Sequence, residues 1–313
     1  MAGKIHSYLV EGPDGNMYFS TDGGEDRQEY LMDHPHGYAG GLFFRWEPAA
    51  ARLTRLGKAL PFDSIKNVAV DAVTGLLYGI SYPQAHLIVY DVGRNELNDA
   101  GRLTGGYVPR VLFTDWWGNA YYVDWRQRLV KYEREAKKLL FAGEPLPSFE
   151  GTPGFYVMSG ITAVAHDREA GIIYVMTYGS RLFAFRPSRE GVGAVEDLGR
   201  IYDGSKPAWD YWCRNLARGR NGKLHYFVGG HDRYTEQGAA VVMMEFDPRT
   251  RTKRQLELFA LDRLLEVPGS GVTDAQGNIY FAARRADPKA LAAGDSGSSV
   301  PVLMIFNPET ILK

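Results

Sequence analysis

Short apolar runs rich in Val, Ile, Phe and Tyr alternate along the whole chain with turns that carry Gly, Asp, Asn or Pro. LLYGISY, HLIVYD, LVKYE, GIIYVMT, LFAFR, VVMMEFD and VLMIF are of this kind, each too short for a helix and bounded by turn residues. The pattern predicts strands joined by tight hairpins.

The runs are ordered by a repeat. A Gly-containing turn, often with Asp or Asn, leads into an apolar residue and a tyrosine: PDGNMYF (Tyr18), TGLLYG (Tyr78), WGNAYY (Tyr121), AGIIYV (Tyr174), NGKLHYF (Tyr226) and QGNIYF (Tyr280). Each copy is preceded by one β-type run (IHSYLV, IKNVAV, PRVLFT, ITAVAH, RNLARG, SGVTDA) and followed by another (LFFRWEP, LIVYDV, LVKYER, LFAFRP, VMMEFDP, VLMIFNP). Units of about 50 residues, each with three or four short strands, are what a radial array of antiparallel sheets requires. The expectation is an all-β fold, a β-propeller of six blades formed by residues 1–313 as one domain, with seven blades and one degenerate repeat as the alternative. First strands are expected near residues 5, 66, 110, 161, 214 and 270. The repeated tyrosines are read as packing residues between blades.

Composition narrows the function. The 313 residues are 45% hydrophobic and 13% aromatic, enough for a large core, and the formal net charge is −1. No global basic field argues for nucleic acid or an anionic membrane, so charge-based recognition has to be local. The one cysteine, Cys213, excludes an internal disulfide framework and fits a reducing compartment. With no signal-peptide core after Met1 and no apolar run long enough for a bilayer, the expected location is the cytoplasm, or outside the cell if a leader has been removed.

Cations and aromatics collect where a propeller places its second-to-third-strand loops and the heads of its first strands. His34, His36, His86 and His231 fall in such loops, and His86 closes the stiff turn SYPQAH, in which Pro83 restricts its neighbours. His6, Lys66, Arg110 and Arg214 with Asn215 stand at first-strand heads, and His86, Arg128 and Arg181 at third-strand heads. None of these positions is acidic. Inward cations without acids beside them cost desolvation and repulsion unless an anion compensates, so an anion-binding pocket is expected. Trp125, Trp212 and Tyr82 map to the same end, where aromatic faces suit sugar rings. His166 and His225, at a turn and in a strand, are read as structural.

The K-I-H first strand, the H-x-H loop before G-x-x-G-G-L-F-x-x-W, and the blade YGISYP-xx-HL-xx-YD resemble the propeller-type polysaccharide lyases that act on uronates, such as ulvan lyases and rhamnose-glucuronate lyases. The resemblance implies a uronate-containing polysaccharide or oligosaccharide as substrate, β-elimination, and in some members a bound divalent cation; no cofactor is required by the sequence itself. The residues suit that chemistry. A cation on the carboxylate acidifies the neighbouring C–H, while a base near neutral pKa and an acid for the leaving oxygen are roles for His and Tyr. Candidates for catalysis are His86, His231, Tyr82 and His36; for substrate binding, His6, Lys66, Arg110, Arg214, Asn215, Trp125 and Trp212; and for a metal, His34, His36, His86 and His231.

Two rivals remain. One is a metal- or histidine-dependent hydrolase of glycosidase or lactonase type on the same face, although a hard cation needs carboxylate oxygens that the strand heads do not offer. The other is a non-catalytic propeller that binds a glycan or a protein. Serine or cysteine nucleophile chemistry has no elbow motif to support it, and phosphate loops are absent.

Overall fold

The computed structural model describes residues 5, 7–21, 40–58, 60–61, 63–82, 84–103, 111–124, 126–146, 160–177, 179–203, 213–229, 241–259, 264–269, 271–293 and 299–311. Among them, strands form six four-stranded antiparallel sheets. These sheets are the blades of a six-bladed β-propeller, with almost no helix.

The first sheet is β1 (Val10–Glu11), β2 (Met17–Ser20), β3 (Leu42–Glu47) and β4 (Arg52–Lys58). The second is β5 (Ser64–Val70), β6 (Leu77–Tyr82), β7 (His86–Asp91) and β8 (Glu96–Arg102), and the third is β9 (Phe113–Thr114), β10 (Ala120–Val123), β11 (Arg128–Glu133) and β12 (Lys138–Pro145). The fourth is β13 (Ile161–Asp167), β14 (Ile172–Thr177), β15 (Arg181–Pro187) and β16 (Gly193–Arg200), and the fifth is β17 (Ala217–Arg218), β18 (Leu224–Val228), β19 (Val242–Asp247) and β20 (Thr252–Leu256). In the sixth, β21 (Leu264–Glu266) and β22 (Val272–Thr273) pair with different stretches of β23 (Ile279–Ala286), whose whole length also pairs with β24 (Ser299–Phe306). Its first strand is thus split in two. Two short α-helices, α1 (Pro288–Ala292) and α2 (Pro308–Ile311), and a single 3-10 turn at Pro48–Ala50 complete the described elements, and no described helix is long and apolar enough to cross a membrane.

The chain divides into two compact units, residues 1–146 with 187–193, and residues 147–186 with 194–313. In the first unit, Tyr18, Phe43, Ile65, Val68 and Tyr90 pack between the first and second sheets, and Tyr78, Ile80, Leu87, Tyr122 and Tyr132 between the second and third. In the second unit, Tyr174, Met176, Leu216, Tyr226 and Phe246 form one core, and Phe227, Met243, Phe281, Met304 and Phe306 another. Strands covered on both faces read as unbroken apolar runs, and β6, LYGISY, is buried from Leu77 to Ser81. The fourth strands ELNDAGR and GAVEDLGR are polar and largely open. Close approach of the first two sheets depends on Gly79, where an added Cβ would lie 2.8 Å from Phe43 Cζ and 3.1 Å from Ile65 Cγ2.

The repeated tyrosines do more than pack. Tyr18, Tyr121 and Tyr280 each donate their hydroxyl to the aspartate of their own turn, Asp14 at 2.7 Å, Asp115 at 2.8 Å and Asp274 at 2.8 Å. The same carboxylate oxygens accept from Asn16, Asn119 and Asn278. Burial, followed by Asp115, raises the Tyr121 hydroxyl well above its ordinary value, which keeps it a donor. The sequence reading of these tyrosines as packing residues alone is therefore corrected.

Candidate functional site

Of the expected site residues, Lys66, Tyr82 and His86 lie at the end of the second sheet where β6 passes to β7. Lys66 occupies a bulge, since the β5–β6 register shifts between Ile65 and Asn67. A bulge re-aims the extra side chain, and the Lys66 ammonium lies 4.7 Å from the centroid of the Tyr82 ring. A cation over a phenol face is held electrostatically. Below it, Ser81 donates to the buried carboxylate of Asp63 at 2.5 Å and accepts from the backbone N–H of His86 at 3.0 Å.

The His86 turn recurs twice. Ala85, Gln127 and Ser180, each just before a third-strand head, have φ of 57°, 66° and 55°. Their carbonyls accept from Leu103, Leu146 and Ile201 at 2.8, 2.7 and 3.0 Å. The following residue is basic in every case, and each is paired with a carboxylate of its own sheet. His86 Nδ1 lies 3.0 and 2.8 Å from the two oxygens of Asp99. Arg128 donates to Asp124 through Nε and Nη2 at 3.0 and 2.8 Å, and Arg181 grips Asp197 through the same two nitrogens. The three side chains are 22, 26 and 23% exposed, so their settings match. Asp99 and Asp197 are positioned alike, each accepting at 2.8 Å from the N–H of a glycine two residues on, Gly101 or Gly199, with φ of 102° and 93°.

This corrects the expectation of uncompensated cations at the third-strand heads. The acids stand in the fourth strands or at the end of a second strand, outside the positions compared in the sequence. His86 is the histidine version of a brace that is arginine in the third and fourth sheets.

Asn215 is also re-read. It is buried, its amide donates to the carbonyls of Phe227 at 3.2 Å and Val267 at 2.9 Å, and its oxygen accepts from Phe227 N–H at 2.7 Å. With donors and acceptor engaged by backbone, it clamps the fifth sheet and is not placed to receive substrate. Arg214 is half-buried beside it. His225 is structural, fully buried against Glu245. His6, His34, His36, Arg110, Trp125, Trp212 and His231 lie outside the described residues. Among the described residues, no three His, Cys, Asp or Glu side chains converge as a metal site. Cys213 is buried, and burial pushes its thiol up to about 12, the opposite of an activated nucleophile.

No protein-family model matches the sequence, and no curated protein matches it. Solved structures do resemble it in fold. A chain of the nidogen/laminin complex superposes with a TM-score of 0.51 at 12% identity, over 80% of this chain and 79% of that one. The extracellular domain of a protein described as a one-component system of B. thetaiotaomicron gives 0.54 at 13% identity, over 90% of this chain, which spans only 37% of that chain. A protein from Lactobacillus plantarum gives 0.54 at 13% identity, over 87% of this chain and 79% of that one. At such identities the likeness shows the fold. It supports a propeller and offers no support for a polysaccharide lyase in particular.

Proposed function

We propose that this propeller recognises an acidic carbohydrate at the end of its second blade, with Lys66 receiving the carboxylate beside the Tyr82 ring. The observation that carries the reading is the bulged Lys66 held over Tyr82, a cation and an aromatic brought together in the way sugar acids are bound. His86 is engaged by Asp99, so in this reading it braces the turn that presents Tyr82.

The test is thermal unfolding with a panel of oligosaccharides. A ligand that binds only the native state, at one hundred times its Kd, stabilises by about 2.7 kcal/mol. Oligogalacturonate or oligoglucuronate is expected to raise Tm, and Lys66→Ala to weaken that binding about tenfold. Equal stabilisation by neutral and acidic oligosaccharides would remove the acidic ligand from the reading.

A second reading, β-elimination of the uronate, is favoured by one feature of His86. With Nδ1 held at Asp99, its Nε2 is the nitrogen left to take a proton, the orientation logic of a carboxylate-steered base. His86→Arg separates the two readings, because arginine restores the brace found at Arg128 and Arg181. Stability is expected to change by no more than about 0.5 kcal/mol. If wild type releases the ultraviolet chromophore of an unsaturated uronate and His86→Arg does not, elimination is established; binding without that chromophore in wild type assigns recognition alone.

A further inference from the structure

The first turn of the third sheet, Asp115-Trp116-Trp117-Gly118-Asn119, carries two tryptophans where the chain's other copies of this turn carry Pro13-Asp14, Ala72-Val73, Arg168-Glu169, Arg220-Asn221 and Ala275-Gln276. The turn does not need them. Asp115 N–H donates to Asn119 O and Gly118 N–H to Asp115 O, and Asp274, Gly277 and Asn278 make the same two bonds around Ala275 and Gln276. Both indoles are nevertheless only half-buried, set edge to face with centroids 5.9 Å apart at 67°.

A guanidinium is built onto this pair. Arg189 lies with its Cζ 5.2 Å from the centroid of a Trp117 ring. An exposed arginine ordinarily samples many rotamers, but the backbone that carries this one is anchored. The fully buried Lys131 donates its ammonium to the carbonyls of Ser188, Arg189 and Gly191 at 3.0, 3.3 and 3.1 Å. Ordering a long cation to hold three carbonyls of one exposed hairpin carries an entropic cost, and its result is a pre-organised Trp116–Trp117–Arg189 platform.

We infer that this platform is a second binding site, for a pyranose ring. The CH-rich face of a sugar matches the open part of a half-buried indole, and the guanidinium offers fixed donors to ring hydroxyls or a carboxylate. Two indoles and one guanidinium span a sugar ring or two. That is far below the roughly 800 Å² per partner of a stable protein interface, which argues against a protein ligand. The inference does not rest on the Lys66 reading.

The test follows intrinsic tryptophan emission during titration with a neutral cello-oligosaccharide and with oligogalacturonate. Lys66→Ala is the background, so that failure of one site is not confused with failure of the other. At least one sugar is expected to give a saturating change. Trp116→Ala, checked for intact folding by circular dichroism and melting, should abolish it; Arg189→Ala should weaken it about tenfold, and Trp116→Phe should restore part of it. Saturable binding that survives Trp116→Ala unchanged overturns the proposal, as does the absence of any saturable change with both sugars.

Discussion

Glu245→Ala will lower the unfolding free energy by about 1–3 kcal/mol, the cost of leaving the fully buried His225 imidazole without its hydrogen-bond partner. Glu245 is 3% exposed in the middle of β19. Its carboxylate accepts from Lys223 at 2.8 Å and Arg254 at 2.7 Å, and faces His225 Nε2 at 3.3 Å. His225 is fully buried with its ring edge-on to Phe306, and its Nδ1 has no hydrogen-bond partner. Loss of the carboxylate therefore leaves the imidazole with no described partner and two cations without their acid. Burial alone would raise the Glu245 pKa, but the hydrogen bonds from His225, Arg254 and Lys223 outweigh it and hold it well below the ordinary 4.5. For a carboxyl depressed in the folded state, the contribution is fully present above the unfolded value and is lost as pH falls through the folded one. The difference between wild type and Glu245→Gln in urea unfolding is thus expected to be constant near neutrality and to shrink below about pH 4.5. A difference that grows on acidification would show that the carboxylate is not stabilised by these partners.

Much of the architecture was legible in the sequence because a propeller repeats one local pattern. First strands were expected near 66, 110, 161, 214 and 270; four of them begin at Ser64, Phe113, Ile161 and Ala217, and the sixth sheet's begins at Leu264, with its second part at Val272. The first was expected near 5 and its ladder starts at Val10, since β1 pairs only through Val10 and Glu11. The split first strand of the sixth sheet was not legible, because it depends on β21 and β22 sharing the long β23.

The site was legible in part. SYPQAH was correctly placed at the end of β6, and Lys66 at a strand head, but a bulge cannot be read from the apolar pattern, and the bulge aims Lys66 at Tyr82. The partners of His86 and Arg181 were missed for a physical reason. Asp99 and Asp197 sit 13 and 16 residues downstream in polar outer strands that read as solvated, and only strand register returns them to the third-strand heads. A signal existed in the paired strings NDAGR and EDLGR, whose shared D-x-G-R marks a repeated structural element. His86, singled out from its loop, is thereby placed in a series with two arginines, and this shifts the functional weight toward Lys66.

The turn motif that announced the fold makes the last prediction. Asp115→Ala is expected to destabilise the protein by about 3–5 kcal/mol, well beyond an ordinary turn substitution. Oδ1 of Asp115 accepts from the N–H groups of Trp117 and Asn119 at 2.9 and 3.0 Å, and Oδ2 from the Asn119 amide and the Tyr121 hydroxyl at 2.9 and 2.8 Å. Asp115 is 2% exposed and Tyr121 fully buried, stacked on Phe113 at 5.4 Å, so water cannot replace the lost acceptor. A buried donor left without a partner costs about 1–3 kcal/mol, and here the Tyr121 hydroxyl and the Asn119 amide lose theirs together. Asp274 makes the same set of bonds to Gln276, Asn278 and Tyr280 in a more open turn, where water can take over, so Asp274→Ala should cost clearly less. Asp115→Asn keeps an acceptor oxygen and should fall between wild type and alanine. Urea unfolding of the three variants at neutral pH measures the order. Equal losses for Asp115→Ala and Asp274→Ala would show that burial of the motif does not set its worth.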